Sequence, residues 1–227
     1  MIEKKTAVKR IFDSIAFRYD LLNHLLSFGM DFYWRKKALK LTTINDNSKL
    51  LDIACGTGDF AIAARKIGVN NIFGADLSKN MLELFYKKAS WVSGRTLQMV
   101  AEKIPLKDGS VTNITVAFGV RNFYNIEEGF KSFYRIIAPE GEVTILEFRM
   151  PENRIFKSVY RFYFKKVIPF LGGMISGDKE AYEYLPSSVE EFDEKIDLTE
   201  MLKTAGFKNV ISTPLNFGIV QVIISTK

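Results

Sequence analysis

The sequence predicts an α/β domain built on a mostly parallel sheet with helices on both faces. From about residue 48 onward, short apolar segments of strand length alternate with segments of helical spacing. This alternation is typical of βαβ units, whose crossover helices bury both faces of a parallel sheet. Two strand-like segments follow one another at the end of the chain and predict an antiparallel hairpin at the sheet edge.

The first 47 residues have a helical pattern, with helices predicted over 7–17 and 32–41. The predicted strands are 49–54, 71–76, 95–100, 111–118 and 142–148, with a final pair within 210–225 around Gly218. Predicted helices between them start near Phe60, Ser78, Ile126 and Asp197, and Ser78 and Asp197 are expected to cap their helices. We divide this single domain into a helical cap (1–47), a cofactor-binding core (48–150), a helical insertion or lid (151–192) and a C-terminal helix and strand pair (193–227).

Composition fits one domain of ordinary enzyme size. The chain has 227 residues, 47% hydrophobic and 26% charged, with a formal net charge of +6. One Cys excludes an intramolecular disulfide, one His excludes most histidine-based metal sites, and no metal is expected. We find no targeting signal and no apolar run of membrane-spanning length, so we expect a cytoplasmic protein.

A glycine turn after the first strand is the first motif with chemistry. Asp52 lies inside that strand, Gly56-Thr57-Gly58 turns the chain into a helix, and Asp76 ends the next strand. Glycines let the backbone approach a ligand closely, and ligands bind at the carboxyl edge of such sheets. A carboxylate at the position of Asp76 can accept hydrogen bonds from two ribose hydroxyls. The pattern therefore predicts a nucleotide-like ligand.

Several identities of that ligand are compatible with the turn. Its Gly-x-Gly-x-x-Ala spacing also satisfies the loose dinucleotide pattern of a nicotinamide oxidoreductase, and a turn without any ligand is a further alternative. The short chain and the acidic residue within the first strand favour S-adenosylmethionine instead. Leu77 and Ala101 would then offer an apolar edge to the adenine, and the segment from Val100 would cross it.

Longer segments carry a family resemblance. They read FDSIAFRYDLLNHLLSFGMDFYWR at 12–35, LDIACGTGD at 51–59, GADLSKNML at 74–82, AEKIPL at 101–106, FGVRN at 118–122 and EYLPSSVEEF at 183–192. In this order they closely resemble the ubiquinone/menaquinone biosynthesis C-methyltransferase family, which includes demethylmenaquinone methyltransferases. The resemblance covers about residues 9 to 220.

The resemblance implies a class I methyltransferase fold, with seven strands of which the last is antiparallel, and S-adenosylmethionine as methyl donor. The acceptor would be a ring carbon of a reduced polyprenyl benzoquinol or naphthoquinol. Carried over by position, the cofactor contacts would be Thr57, Asp76, Val100, Ala101 and Ala117, in addition to the turn itself.

The chain departs from the family pattern at five positions. Val100 stands where the family usually has Asn, and Ala117 where it often has Ser; the others are Glu140, Arg149 and Ile223. These departures leave open a methyltransferase of the same scaffold with a different small-molecule acceptor. A non-catalytic subunit of a quinone-synthesis assembly is another alternative.

We predict that Arg121, Asn122, Tyr19 and Asp20 form the catalytic group. Methylation at carbon needs a ring whose hydroxyl has lost or shares its proton. Arg121 would stabilise that oxygen, Asn122 would orient the ring or Arg121, and Tyr19 and Asp20 would complete a proton path. Glu147 is a candidate second proton acceptor. The alternatives are structural ion pairing for Arg121, lid packing for Tyr19, and an arginine partner or helix cap for Asp20. For Glu147 the alternative is a pair with Arg121 or Arg149.

The insertion contains a segment rich in aromatic and basic residues, RIFKSVYRFYFKKVIPF at 154–170. It predicts a helix that rests on an anionic membrane at the inner face of the cytoplasmic membrane and admits a lipid tail. An amphipathic lid packed on the sheet is the alternative. We expect no nucleic-acid partner, and a homodimer and a quinone-synthesis assembly are the candidate associations.

Overall fold

The computed structural model describes residues 2–170 and 179–227. Its strands are β1 (Lys49–Ile53), β2 (Asn71–Asp76), β3 (Thr96–Gln98), β4 (Val111–Ala117), β5 (Ile137–Phe148), β6 (Lys208–Leu215) and β7 (Val220–Thr226). The α-helices of the described residues include α1 (Ile2–Leu26), α2 (Met30–Leu41), α3 (Asp59–Lys66), α4 (Lys79–Lys88), α5 (Ile126–Ile136), α6 (Arg154–Phe162), α7 (Lys179–Lys195) and α8 (Leu198–Thr204).

The strands form a seven-stranded sheet in the order β3-β2-β1-β4-β5-β7-β6. Strands β1 to β5 pair in parallel, whereas β7 is antiparallel to both β5 and β6. The predicted fold class and terminal hairpin are therefore confirmed. Within the hairpin, β6 takes the edge and β7 lies between it and β5.

Helices cover both faces of the sheet, as its sequence pattern predicts. Leu50 and Leu51 are both fully buried, yet they belong to different apolar clusters. Successive side chains of a strand point to opposite faces, so each face of β1 has its own core. Leu51 packs with residues of α5 and α8, whereas Leu50 packs with residues of α2, α3 and α4.

The two residues predicted to cap helices, Ser78 and Asp197, do so. The Ser78 hydroxyl accepts the Met81 N–H at 3.2 Å. The Asp197 carboxylate accepts the N–H groups of Thr199 and Glu200 at 2.9 and 3.2 Å. These bonds satisfy N–H groups that the first helical turn leaves without an intrahelical acceptor.

Some element boundaries were wrong in the sequence prediction. Helix α1 runs over Ile2–Leu26 instead of 7–17, because it continues as the cover of the sheet edge. Strand β5 starts at Ile137 instead of 142 and includes Pro139, which the prediction placed beyond a helix end. Ile137 pairs with Val111, and the register then shifts where Glu140 adopts a φ of 60°. Strand β3 spans only Thr96–Gln98.

The insertion is helical, as predicted, but its first helix changes geometry along its length. Helix α6 continues through a π-helical segment, Tyr163–Val167, and α7 crosses the predicted boundary at 192. The predicted helix end and hinge at Gly172–Gly173 lies outside the described residues. In the described part of the chain, no helix combines the length and the apolar character that crossing a membrane requires.

Candidate active site

The carboxyl ends of β1, β2 and β4 meet at one edge of the sheet and form the floor of a pocket of about 90 Å³. Ala54, Asp76 and Ala117 line this floor, and Phe12 and Tyr19 of α1 line its cover. We call it the strand-edge pocket. Its place agrees with the rule that parallel α/β sheets bind ligands beyond their carboxyl ends.

Asp76 is held in place by the backbone around it. Its two carboxylate oxygens accept the N–H groups of Gly56 and Ser78, each at 2.8 Å. Burial raises the pKa of the Asp76 carboxyl above its usual range, and the backbone hydrogen bonds oppose this shift. A carboxylate fixed in this way presents its remaining lone pairs to a ligand without reorganisation.

The glycine turn needs its glycines for different reasons. Gly56 and Gly58 both have positive φ values, 54° and 85°. A Cβ on Gly58 would lie 2.1 Å from the ring of Phe85, whereas a Cβ on Gly56 would meet only Tyr19, at 3.8 Å. Gly58 thus allows α4 to pack against the turn, and Gly56 leaves its backbone accessible beside the pocket.

Asp52 lies behind the turn, outside the lining of the strand-edge pocket. It is almost fully buried, and its carboxylate accepts the Thr115 hydroxyl at 2.8 Å and the Ala61 N–H at 3.2 Å. Burial raises the pKa of Asp52 to about 7. Its contacts tie the first turn of α3 to β1 and β4, so in this structure it supports the site from behind.

Asp20 and Thr57 meet each other at the glycine turn. The Thr57 hydroxyl donates to Asp20 at 2.5 Å, and the Lys88 ammonium binds Asp20 at 2.8 Å and Asp59 at 2.5 Å. Asp20 lines neither the strand-edge pocket nor the larger pocket described below. The structure therefore does not bring Asp20 beside Arg121, as the predicted proton path requires.

The charged cluster continues from Asp59 to His24 of α1, which in turn contacts Asp31 of α2. Ligand atoms of Asp20, His24 and Asp59 lie within 4.8 Å of one another. Lys88 already binds both carboxylates, and His24 Nδ1 lies 2.8 Å from Asp31. These contacts satisfy the charges within the protein, so we assign no cation to the cluster.

The remaining predicted cofactor residues line the strand-edge pocket. They are Leu77, Val100, Ala101 and Ala117, which give it apolar walls. Several further residues line the pocket without having been predicted from the sequence, namely Met81, Met99, Phe123 and Tyr124. Phe123 and Tyr124 directly follow the FGVRN motif, so their place in the sequence could have predicted that they line the pocket. Glu102 orders this segment, since it accepts the N–H groups of Tyr124 and Asn125 at 2.8 and 3.1 Å.

A second pocket, of about 300 Å³, adjoins the first and shares Phe12, Tyr19 and Phe118 with it. We call it the aromatic pocket. Residues of α1, α2, the strand ends and the insertion line it, among them Phe28, Trp34, Phe148, Tyr160, Tyr163, Phe164 and Tyr184. Its size and apolar walls fit a planar ring that carries an apolar substituent.

Arg121 is one of two buried arginines that line the aromatic pocket; the other, Arg35, pairs with Asp31 at 2.6 Å. The Arg121 guanidinium donates to Glu147 at 2.8 Å and to the Phe118 carbonyl, and it lies over the Phe148 ring, 5.6 Å from the centroid. The Glu147 side chain is fully buried and also accepts the Arg121 backbone N–H at 3.3 Å. Ion pairing for both residues was one alternative of the sequence analysis, and it is what the structure contains.

Tyr19 and Asn122 lie where the two pockets meet. Tyr19 lines both pockets, and burial raises the pKa of its hydroxyl. Asn122 lines the strand-edge pocket and accepts a hydrogen bond from Tyr184 of the aromatic pocket at 2.9 Å. Of the predicted catalytic group, the structure thus brings Arg121, Asn122 and Tyr19 together.

Solved methyltransferase structures share this fold. One is an S-adenosylmethionine-dependent methyltransferase of Thermotoga maritima, with a TM-score of 0.66 and 19% identity. The alignment covers 96% of this chain and 99% of that one. At this identity the likeness concerns the fold alone, and it agrees with the class I architecture that the sequence resemblance implies.

Curated relatives are much more similar in sequence. The ubiquinone/menaquinone biosynthesis C-methyltransferase UbiE of Geotalea uraniireducens is 42% identical over 233 residues, covering 100% of this chain and 99% of the relative. The demethylmenaquinone methyltransferase of Chlorobaculum tepidum is 41% identical, covering 95% and 90%.

The family model described as the ubiE/COQ5 methyltransferase family matches residues 1–227. The predicted family, a methyltransferase enzyme and S-adenosylmethionine as its donor are thereby confirmed at the level of family and fold. Because the match spans the sheet, both pockets and the helical insertion, the chain belongs to the ubiE/COQ5 methyltransferase family.

Proposed function

We propose that the chain methylates a ring carbon of a reduced polyprenyl quinone precursor, a demethylated naphthoquinol or the corresponding benzoquinol. The observation that carries this proposal is the aromatic pocket, which shares walls with the strand-edge pocket and is lined by two buried arginines, Arg121 paired with Glu147 and Arg35 paired with Asp31. The names of the relatives support a role in quinone biosynthesis.

The strand-edge pocket has the chemistry to hold S-adenosylmethionine, which supplies the methyl group as a sulfonium. The fixed carboxylate of Asp76 is placed for the ribose hydroxyls. The Gly56 backbone, which no Cβ shields, is placed for the amino-acid part. Leu77, Val100 and Ala101 give the adenine apolar contacts. Because Val100 and Ala117 lack hydrogen-bonding side chains, polar recognition of the adenine falls to the backbone here.

In the proposed reaction the ring carbon takes up the methyl group and loses its proton. Arg121 stabilises the negative charge that develops on the neighbouring oxygen, and it can orient a water that accepts a proton; the guanidinium is not itself a base. Glu147 holds that guanidinium in place. Tyr19 and Asn122 position the ring between the pockets. We assign Asp20 to the glycine turn, which it holds together with Thr57 and Lys88.

Three of the five departures from the family pattern lie away from the pockets. Glu140, Arg149 and Ile223 are absent from the linings of the strand-edge and aromatic pockets. Ile223 is buried in the sheet, where it pairs with Ile145, and Arg149 binds Glu152 at 2.6 Å. These positions therefore give no support to a changed acceptor.

The test is methyl transfer from labelled S-adenosylmethionine to chemically reduced demethylmenaquinol and to the unmethylated benzoquinol, side by side. One added methyl, read by product mass, is expected on at least one ring. Arg121→Ala should lower kcat by about 100-fold or more. Arg149→Ala is the matched control, since this arginine lies outside both pockets. No transfer to either ring, with donor binding intact, would overturn the acceptor assignment.

We further propose that α6 docks on an anionic membrane, from which the quinol enters. An apolar stripe of α6 is exposed, with Ile155 at 77%, Val159 at 63% and Phe162 at 64%. No residue of α6 is buried as a whole, although the Tyr160 hydroxyl is, and most of the helix surface stays exposed, which counts against a helix that only packs on the sheet. Arg161 and Lys165 bind Glu190, so Arg154, Lys157 and Lys166 are the stronger candidates for lipid contact.

Co-sedimentation with phosphatidylglycerol vesicles tests this surface. We expect the triple variant Arg154→Glu, Lys157→Glu, Lys166→Glu to lose binding. A control with the same charge change elsewhere, Lys66→Glu, Lys107→Glu, Lys208→Glu, should retain it. Equal binding by both variants would refute the proposed membrane surface. Association into a homodimer or a quinone-synthesis assembly stays a prediction.

A further inference from the structure

Three tyrosines of the insertion line the aromatic pocket, and their hydroxyls differ. Tyr163 donates to the Leu26 carbonyl at 2.7 Å, and Tyr184 donates to the Asn122 side chain at 2.9 Å. The Tyr160 hydroxyl is buried and has no hydrogen-bond partner among the residues that the structure describes. Buried polar groups almost always have a partner, so this hydroxyl needs an explanation.

The ring of Tyr160 packs in a series of aromatic rings that leads to Arg121. It packs on Phe164 with ring centroids 4.5 Å apart, and Phe164 packs on Phe148 at 5.7 Å. Arg121 lies over Phe148 on the same side of the fold. Tyr160 is therefore fixed at the pocket wall, within electrostatic reach of Arg121 and Glu147.

The chemical state of the hydroxyl suits a hydrogen-bond donor. Burial raises the pKa of Tyr160 far above its usual range, so the hydroxyl keeps its proton at neutral pH. A phenol in such a place gains most from a ligand oxygen that accepts a hydrogen bond from it. A quinol ring offers oxygens on opposite sides, and the proposed role of Arg121 uses only one of them.

We propose that the Tyr160 hydroxyl donates a hydrogen bond to the second oxygen of the acceptor ring. This inference rests on the proposed function for the class of acceptor. Anchored by Arg121 at one oxygen and Tyr160 at the other, the ring cannot rotate in its plane. Tyr160 therefore selects rings with two opposed oxygens and decides which ring carbon faces the strand-edge pocket.

The test compares Tyr160→Phe with Tyr163→Phe, the same substitution three residues away on the same helical segment. Methyl transfer is measured against the concentration of a short-tailed demethylnaphthoquinol. Tyr160→Phe should raise KM about three- to tenfold, because it removes one hydrogen bond to the ring. Its thermal unfolding temperature should not fall, because the hydroxyl that is removed makes no hydrogen bond to the residues that the structure describes. Tyr163→Phe should lower the unfolding temperature, because the Leu26 carbonyl loses its hydrogen-bond donor. Tyr33→Phe, at a half-exposed tyrosine outside both pockets, is the control whose KM should not change.

A binding measurement separates this inference from the proposed function. We would compare 1,4-dihydroxynaphthalene with 1-naphthol, which lacks the second oxygen, by titration in the presence of S-adenosylhomocysteine. Wild type should prefer the dihydroxy ring, and Tyr160→Phe should lose the preference. Equal KM values and equal preferences for wild type and Tyr160→Phe would overturn the role of Tyr160 while methyl transfer stands. A lost preference without any methyl transfer by wild type would support Tyr160 and overturn the proposed reaction. No preference in wild type would overturn the inference outright.

Discussion

Replacing Glu147 removes the carboxylate that pairs with the buried guanidinium of Arg121. The side chains of the pair are 0% and 5% exposed, and their atoms lie 2.8 Å apart. Breaking a buried pair by removing one partner typically costs about 3–5 kcal/mol, whereas replacing both partners by apolar residues is often neutral. We therefore expect Glu147→Leu to be far less stable than the double variant Arg121→Met, Glu147→Leu.

Urea unfolding followed by circular dichroism measures this difference. With a slope of about 2–3 kcal/mol per molar for a chain of this size, the midpoint of Glu147→Leu should fall by about 1–2 M. The double variant should recover most of that loss. It should nevertheless have no methyl transfer, because the proposed stabilisation of the ring oxygen comes from the guanidinium.

Two results would refute this reasoning. If Glu147→Leu unfolds at the wild-type midpoint, the pair is not energetically coupled as its burial implies. If the double variant folds and methylates at the wild-type rate, Arg121 has no part in the chemistry, whatever it contributes to the fold. The cycle thus separates the role of the pair in stability from its role in turnover.

The other predictions concern the glycine turn and its carboxylates. Gly58→Ala should lower stability by about 2–4 kcal/mol, from strain at positive φ and the overlap with Phe85, and an unchanged midpoint in urea would contradict it. Asp76→Asn should weaken binding of S-adenosylhomocysteine by about tenfold or more in calorimetry, because one ribose acceptor is lost; unchanged affinity would remove Asp76 from the ribose. The raised pKa of Asp52, about 7, means that its contribution to stability is present at acidic pH and is lost as pH rises toward 7. The stability of Asp52→Asn relative to wild type should therefore increase as the pH rises from 5 to 8. If the free energies of unfolding of the two proteins change in parallel with pH, the raised pKa of Asp52 is contradicted.

Local features of the site could be predicted from the sequence because few residues determine them. Ser78 caps α4 through a bond to Met81, three residues away. The glycine turn and Asp76 follow directly from two buried strands, and parallel pairing brings their ends together. The edge at which a ligand binds was therefore predictable before any side chain was placed.

Contacts between distant segments could not be predicted in the same way. Lys88 binds Asp20 across 68 positions of sequence, and Tyr184 binds Asn122 across 62. Both depend on how α1 and the insertion lie on the sheet, which tertiary packing decides and periodicity does not. The predicted role of Asp20 rested on its neighbour Tyr19 in the sequence. Side chains next to each other on a helix point in different directions, and these two reach different parts of the site.

The wall that the two pockets share has a thermodynamic consequence. Tyr19 and Phe118 line both pockets, so a ligand that orders either side chain changes the surface offered to the other ligand. Binding of the donor and of the acceptor is then linked, and linkage is reciprocal: each alters the affinity of the other by the same factor. Titrating each ligand in the presence and in the absence of the other would measure that factor twice and give one coupling free energy. Its sign would say whether the spent donor strengthens or weakens binding of the methylated ring.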